Sequence, residues 1–330
     1  MVNLQRIDNK SILLKPDDIL CFAVIRNETL RLPFFLKYYR EKGICHFFIV
    51  DNDSDDETLS YLLEQTDTYV WHTQDSFKNK LAWLEWLLKD YGSNYWCLLV
   101  DADEIFYYPD CETKPIKALC RQIEVQKKDA LSIVMLDMYS DKPIQEVQYE
   151  PGTNFLEVCP YFDREFYHHK EGLIHDYYWG GLRQRVFGSQ TDNPKKLYCL
   201  TKFPLIKYHS RMQLYSEHRI KNIKCSSTTG CLLHFKYPSS FVNYVKKEIH
   251  RNQHWQGAVE YKKYAQLLEK NENLNLYHEN LSVKLETSQQ LIAMGIMKRG
   301  YQSFLFEVGY DVYVRLRALG KALSKKLWNS

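Results

Sequence analysis

Apolar residues in the first hundred positions fall in short continuous runs separated by amphipathic stretches. Ile19–Ile25 (ILCFAVI) is apolar without alternation, the pattern of a strand buried on both faces. Leu32–Glu41 follows with helical spacing, Pro33 in its first turn and Gly43 just past its end. His46–Val50 (HFFIV) predicts a second buried strand, and a capping box from Ser54 to Glu57 (SDDE) predicts a helix start. Tyr69–His72 predicts a third strand and Phe77–Tyr91 a helix ended by Gly92. Tyr95–Val100 (YWCLLV) predicts a fourth strand, which runs directly into Asp101-Ala102-Asp103-Glu104.

This alternation predicts an α/β fold with a central, mostly parallel sheet covered by helices on both faces. Such sheets bind ligands beyond the carboxyl ends of their strands. The polar clusters lie at those ends: Arg26-Asn27-Glu28 after the first strand, Asp51–Thr58 after the second and the acidic run after the fourth.

Beyond about residue 130 the pattern loosens. Leu131–Tyr139, Leu182–Phe187, Phe203–Tyr208 and Cys231–Phe235 read as strands, and 140–180 as a loop rich in Tyr, His and Asp. Phe241–Trp255 and Gln289–Met297 read as helices. One compact domain over 1–260 with a C-terminal helical extension over 261–330 accounts for the pattern. In the tail, Val312, Leu316, Leu319, Leu323 and Leu327 share one helical face. That face has two readings, docking on the domain or lying on an anionic membrane surface.

Composition narrows the class. The 330 residues are 45% hydrophobic and 26% charged, ordinary for a soluble globular chain, and the formal charge of +3 argues against a nucleic-acid partner. Nine cysteines, an odd number with no CxxC pair, predict free thiols in a reducing compartment. No apolar run approaches the ~20 residues needed to span a bilayer. The expected location is cytoplasmic, with at most a peripheral membrane contact through the tail.

In an extended segment residues two apart face the same side, so Asp101 and Asp103 can approach one cation. Carboxylate oxygens suit Mg2+ or Mn2+, which keep open positions for substrate phosphates. The alternative is that these acids cap the next element or face water. Asp51, Asp53 and Asp55 mimic the spacing of a calcium-binding loop. Asp56 stands where that loop needs glycine and Leu62 where it needs glutamate, so that reading fails. Asp51 at a strand end instead suits the imide N–H of a uracil base. His250 and His254 are spaced like a metalloprotease pair, but Arg251 replaces the required glutamate. His168 and His169 are adjacent and diverge.

The segments VIRNE (24–28), YYREKGICHFFIVDNDSDDET (38–58) and WCLLVDADE (96–104) resemble the family 2 glycosyltransferases, and within them the subgroup grouped with family 92-like proteins. WGGLRQRVFG (179–188), TKFPL (201–205) and LLHFKY (232–237) extend the resemblance over most of 19–260. It implies a GT-A fold, a nucleoside-diphosphate-sugar donor (a UDP-sugar first), a Mn2+ or Mg2+ cofactor, and a glycan or lipid-linked acceptor. Position by position it implies Asp103 as metal ligand and Asp101 at the ribose or the metal. Asp51 would hold the base, with Asn27 and Glu28 lining its pocket. Lys80 falls near the donor or on an exposed helix face. His234 matches the late histidine that completes a metal site, or is a core histidine.

Gly180-Gly181 with Arg183 and Arg185 reads as the acceptor side, or as a turn with exposed arginines; Lys202 reads as a pyrophosphate contact. The Glu-Asp pair usual after the family's Gly-Gly turn is absent here. Asp176 is therefore the first choice of base for an inverting transfer, with Asp163 or Glu165 in reserve. Two rivals carry their own signatures. A sugar-phosphate nucleotidyltransferase needs a glycine-rich phosphate loop, and RNETLRLP contains no glycine. An inactive glycan-binding module would tolerate loss of Asp101 or Asp103, and both are present.

Overall fold

The computed structural model describes residues 2–300 apart from 166, 173–174, 188–197, 217, 252–254 and 272. The amphipathic tail and His254 lie outside the described residues.

A nine-stranded sheet forms the centre: β1 (Gln5–Arg6), β2 (Ile19–Ile25), β3 (His46–Asp51), β4 (Thr68–His72), β5 (Trp96–Leu99), β6 (Glu104–Tyr107), β7 (Ala130–Asp137), β8 (Thr201–Lys207) and β9 (Gly230–His234). Their spatial order is β1-β4-β3-β2-β5-β8-β7-β9-β6. β2, β3, β4 and β5 run parallel, and so does the β7–β9 pair. β1, β8 and β6 run against their neighbours. The expected mostly parallel α/β sheet is therefore present. β8 is inserted late in the chain between β5 and β7.

The unbroken apolar runs are explained by the two faces of the sheet. Cys21, Ala23 and Ile25 of β2 pack in one core with Phe35, Leu36 and Tyr39 of α1 (Leu32–Glu41). Leu20, Phe22 and Val24 pack in another with Trp83, Leu84, Leu87 and Leu88 of α3 (Lys80–Tyr91), which follows α2 (Thr58–Glu64). A further helix, α4 (Ile116–Val125), adds Ile116, Leu119 and Ile123 to the first core. Full burial at roughly 25 cal/mol per Å2 of apolar surface makes these strands the main anchor of the fold.

Several local expectations are corrected. Ser54 does not cap a helix: its hydroxyl accepts from the Asn27 N–H at 3.0 Å, and α2 begins only at Thr58. Leu182–Phe187 is a helix, α5, not a strand. Gly180 and Gly181 at φ 103° and 70° turn the chain into it, a conformation costly for any residue with a Cβ. The 140–180 stretch is not all loop. It contains the short strands Tyr161–Asp163, Tyr167–Lys170 and Tyr177–Gly180. The helices α6 (Ser240–Arg251) and α7 (Trp255–Lys270) follow β9. Ser282–Lys284 then pairs with Tyr161–Asp163, and Leu291 and Met297 enter the first core. All nine cysteines are free, and no helix among the described residues is long and apolar enough to cross a membrane.

Candidate active site

The carboxyl ends of β2, β3 and β5 and the end of β9 bring together most of the residues singled out in the sequence. Asp51 ends β3 and is fully buried. Its Oδ2 accepts from His72 at the end of β4 (2.9 Å) and from the Ser54 N–H (3.3 Å), while Oδ1 is buried with no hydrogen-bond partner. A buried carboxylate oxygen without a donor costs roughly 1–3 kcal/mol, and an arriving N–H would relieve that cost. Beside it, Asn52 donates to Thr73 O and Asp75 O, and its Oδ1 accepts from Arg251 of α6 at 2.6 Å.

Asn27 and Glu28 stitch the turn after β2 to the turn after β3. Asn27 at φ 54° donates to Asp55 Oδ1 at 2.6 Å and accepts from the Asp55 N–H. The Glu28 N–H donates to Thr58 Oγ1, and its carboxylate pairs with Arg31 at 2.8 Å. Burial pushes the Glu28 carboxyl up, against Arg31 and with the help of Asp103 and Asp101, to about 7.

Asp101 and Asp103 meet different positive groups. Lys80, at the start of α3, lies 2.7 and 2.9 Å from the two Asp101 oxygens, and Lys202 of β8 lies 3.9 Å from Oδ2. Lys202 pairs more closely with Glu104, 2.5 Å away, and Glu104 also accepts from the Asp101 N–H. Burial raises the Glu104 carboxyl even with Lys202 opposing it. These four charged groups head an otherwise apolar cleft lined by Leu81, Leu84, Phe203 and Leu214.

Asp103 faces His234 instead, with Nε2 3.4 Å from Oδ2. The other ring nitrogen of His234 meets Asp137 Oδ1 at 2.7 Å, and Asp137 also accepts from Arg183 Nε at 2.9 Å. Burial opposes charge on His234, yet Asp103 and Asp137 raise it to about 9. Burial likewise works against the Asp103 carboxylate, but His234, Arg31 and Lys236 hold it well below the usual range.

As placed, His234 is an imidazolium between two carboxylates, and only on giving up its Nε2 proton could it join Asp103 in holding a divalent cation that keeps most of its coordination for water and phosphate. Asp103 and His234 form an oxygen–nitrogen donor pair, with the histidine oriented by a second carboxylate as metal-binding histidines usually are. Among the described residues no group of three or more His, Cys, Asp or Glu side chains is placed to hold an ion by itself.

Of the remaining predicted residues, Arg183 reaches this cluster through Asp137, and the others meet different partners. Arg183 and Arg185, both on α5, point into carboxylates. Arg183 is 8% exposed beside Asp137, and Arg185 pairs with Asp163 at 2.7 and 3.0 Å. Asp163 is fully buried and also accepts from Tyr139. Glu165 is paired at the surface with Arg164. Asp176 lies beside Lys298 (2.7 Å) and His169 (3.3 Å); burial opposes ionisation, but these partners lower its pKa. Glu104, Asp137 and His72 contact these residues and were not singled out in the sequence. Asp137 ends a strand that the sequence did indicate, and a carboxylate closing an apolar run was the available signal.

No family model matches the chain, and no match was found among curated proteins. Among solved structures, the chain is similar to a UTP-bound UGPase from Acinetobacter baumannii (9% identity, 77% of this chain and 99% of that one, TM-score 0.36). It is also similar to a UDP-glucose pyrophosphorylase complexed with UDP-glucose (12%, 58% and 76%, TM-score 0.31). A third is a putative glucose-1-phosphate thymidylyltransferase from Bacillus anthracis (12%, TM-score 0.26), for which the match covers 41% of this chain and 65% of that one.

Proposed function

We propose that the chain is a glycosyltransferase of the GT-A type that moves a sugar from a nucleoside-diphosphate sugar, a UDP-sugar first, to a glycan or lipid-linked acceptor. The observation that carries this reading is the Asp103–His234–Asp137 chain, formed from the β5–β6 turn and the ends of β9 and β7, with Asp101 two positions before Asp103. In this reading Asp51 accepts the imide N–H of the base, and Lys80 and Lys202 stand at the diphosphate. Asp103 and His234, with Asp101, would hold Mn2+ or Mg2+, which when bound would supply positive charge to the departing diphosphate.

A carboxylate must also take the proton of the acceptor hydroxyl. Asp176 is proposed for this role from its place ahead of the Tyr177–Gly180 strand and the Gly180-Gly181 turn. Lys298 and His169 depress its basicity. Glu28, held near 7, is the rival. Comparing the pH–rate profiles of Asp176→Asn and Glu28→Gln decides between them, since only loss of the base removes the acidic limb, the fall in rate at low pH caused by protonating the base.

The rival enzyme class is the sugar-phosphate nucleotidyltransferases. The connection from β2 to α1 has no glycine and is tied down by Asn27 and Glu28, which speaks against a backbone phosphate cradle there. The test is donor turnover with EDTA and with Mn2+ restored, run beside UTP plus sugar 1-phosphate. Turnover of UDP-sugar that stops in chelator and returns with metal is expected. Synthesis of UDP-sugar from UTP would replace this reading with the rival.

A further inference from the structure

Asp101 and Asp103 are spaced to share a cation, yet each has a separate positive partner. His234 faces Asp103, while the Lys80 ammonium bridges both oxygens of Asp101 at 2.7 and 2.9 Å. Any ion on Asp101 would have to share this carboxylate with the Lys80 ammonium. A second ammonium, Lys202, is anchored on Glu104 and reaches Asp101 only at 3.9 Å. The two lysines come from different elements, Lys80 from the first turn of α3 and Lys202 from the inserted strand β8. Asp101 is the more open of the two aspartates, its side chain 30% exposed against 21% for Asp103, so ligands can reach it from solvent.

Resting on the function proposed above, we propose that Lys80 is a positioning residue that occupies Asp101 in place of the divalent cation and releases it when a nucleoside diphosphate draws the ammonium away. Two cations cannot occupy one carboxylate edge without strong repulsion, so Lys80 and the metal compete for Asp101. A diphosphate offers the Lys80 ammonium an alternative anion at short range. Metal and nucleotide then promote each other's binding, and this coupling is reciprocal. Lys202, held deeper by Glu104, keeps the local charge balanced while Lys80 moves.

The experiment measures Mn2+ binding to the full-length protein by EPR, without nucleotide, for wild type, Lys80→Met, Lys80→Arg, Asp101→Asn and the Lys80→Met/Asp101→Asn pair. Near-UV circular dichroism checks each fold. Lys80→Met should bind Mn2+ about tenfold more tightly than wild type, as expected when a charge-assisted contact no longer competes. Lys80→Arg should behave as wild type. In the Asp101→Asn background the Lys80→Met gain should vanish, which a merely structural role of Lys80 would not produce. UDP affinity in saturating Mn2+ should fall in Lys80→Met. If Lys80→Met binds Mn2+ no more tightly than wild type while metal-dependent turnover of UDP-sugar persists, this role of Lys80 is overturned and the function stands. If no variant binds Mn2+ and UDP-sugar turnover ignores EDTA, the metal site and the role of Lys80 fall together.

Discussion

The two halves of the sheet share the same apolar cores and differ in what is added to them. β2, β3 and β5 are positioned by apolar contacts on both faces, and the site residues at their ends follow from strand length alone. β7, β8 and β9 pack in those cores too, and buried charge pairs are added around them: Arg183 with Asp137, Arg185 with Asp163, Lys202 with Glu104, and His234 with Asp137. Burying an ion pair yields little net stability, but removing one member leaves a charge that nothing compensates. The first half is thus a scaffold tolerant of conservative apolar exchange. In the second, the charge network fixes the geometry of His234 and Lys202.

The largest expected effect lies where the halves meet. Asp103→Asn should lower UDP-sugar turnover by about a hundredfold or more, because an amide cannot replace the carboxylate charge, and should also lower the melting temperature, because His234 loses one of its two carboxylates; near-UV circular dichroism checks that the fold is kept. Full activity of this variant in chelator would remove Asp103 from the mechanism.

Next, Phe48→Ala and Asp163→Ala should each cost about 3–5 kcal/mol in denaturant unfolding, for different reasons. Phe48 is fully buried and stacks on Phe22 at 5.0 Å; Asp163 leaves Arg185 stranded. The distinguishing result is rescue. Adding Arg185→Met to Asp163→Ala should restore much of the loss, whereas a second substitution beside Phe48 should deepen it. Absence of rescue would mean that the second half is also held chiefly by packing.

A smaller effect is expected at Asp51. Asp51→Ala should weaken UDP binding by about 1.5–3 kcal/mol in calorimetry and leave Mn2+ binding intact. Equal UDP affinity in the two proteins would place the base elsewhere.

The smallest concerns pH. Burial raises the Glu28 carboxyl from 4.5 to about 7, so its contribution to stability is fully present below about 4.5 and is lost as pH rises through about 7. Glu28→Gln should flatten the melting temperature across that window. An unchanged slope would show that another group carries it.

The contrast between the halves also explains what could be read in advance. Strands buried on both faces produce unbroken apolar runs, and β2, β3 and β5 were legible with Asp51 and the acidic run at their ends. Leu182–Phe187 (LRQRVF) alternates like a half-exposed strand, because its two arginines resemble surface residues although they point into Asp137 and Asp163. Asp137, interior and charged, breaks the same assumption. Ser54 satisfies every rule for a helix cap, but its hydroxyl serves the neighbouring turn. That Lys80 would lie on Asp101, 21 residues away, depends on the packing of α3 against β2 and has no local signature.

The insertion of β8 between β5 and β7 has a consequence for the birth of the molecule. A ribosome delivers β5 and β7 long before residues 201–207 emerge. Until then each presents an open edge of unpaired backbone amides and carbonyls, the surface on which nascent chains misassociate. The central seam of the sheet can close only after translation has passed Lys207, and the strand that closes it brings Lys202 to the site. A chain arrested before that point would therefore lack the seam and be a client for chaperones that mask strand edges.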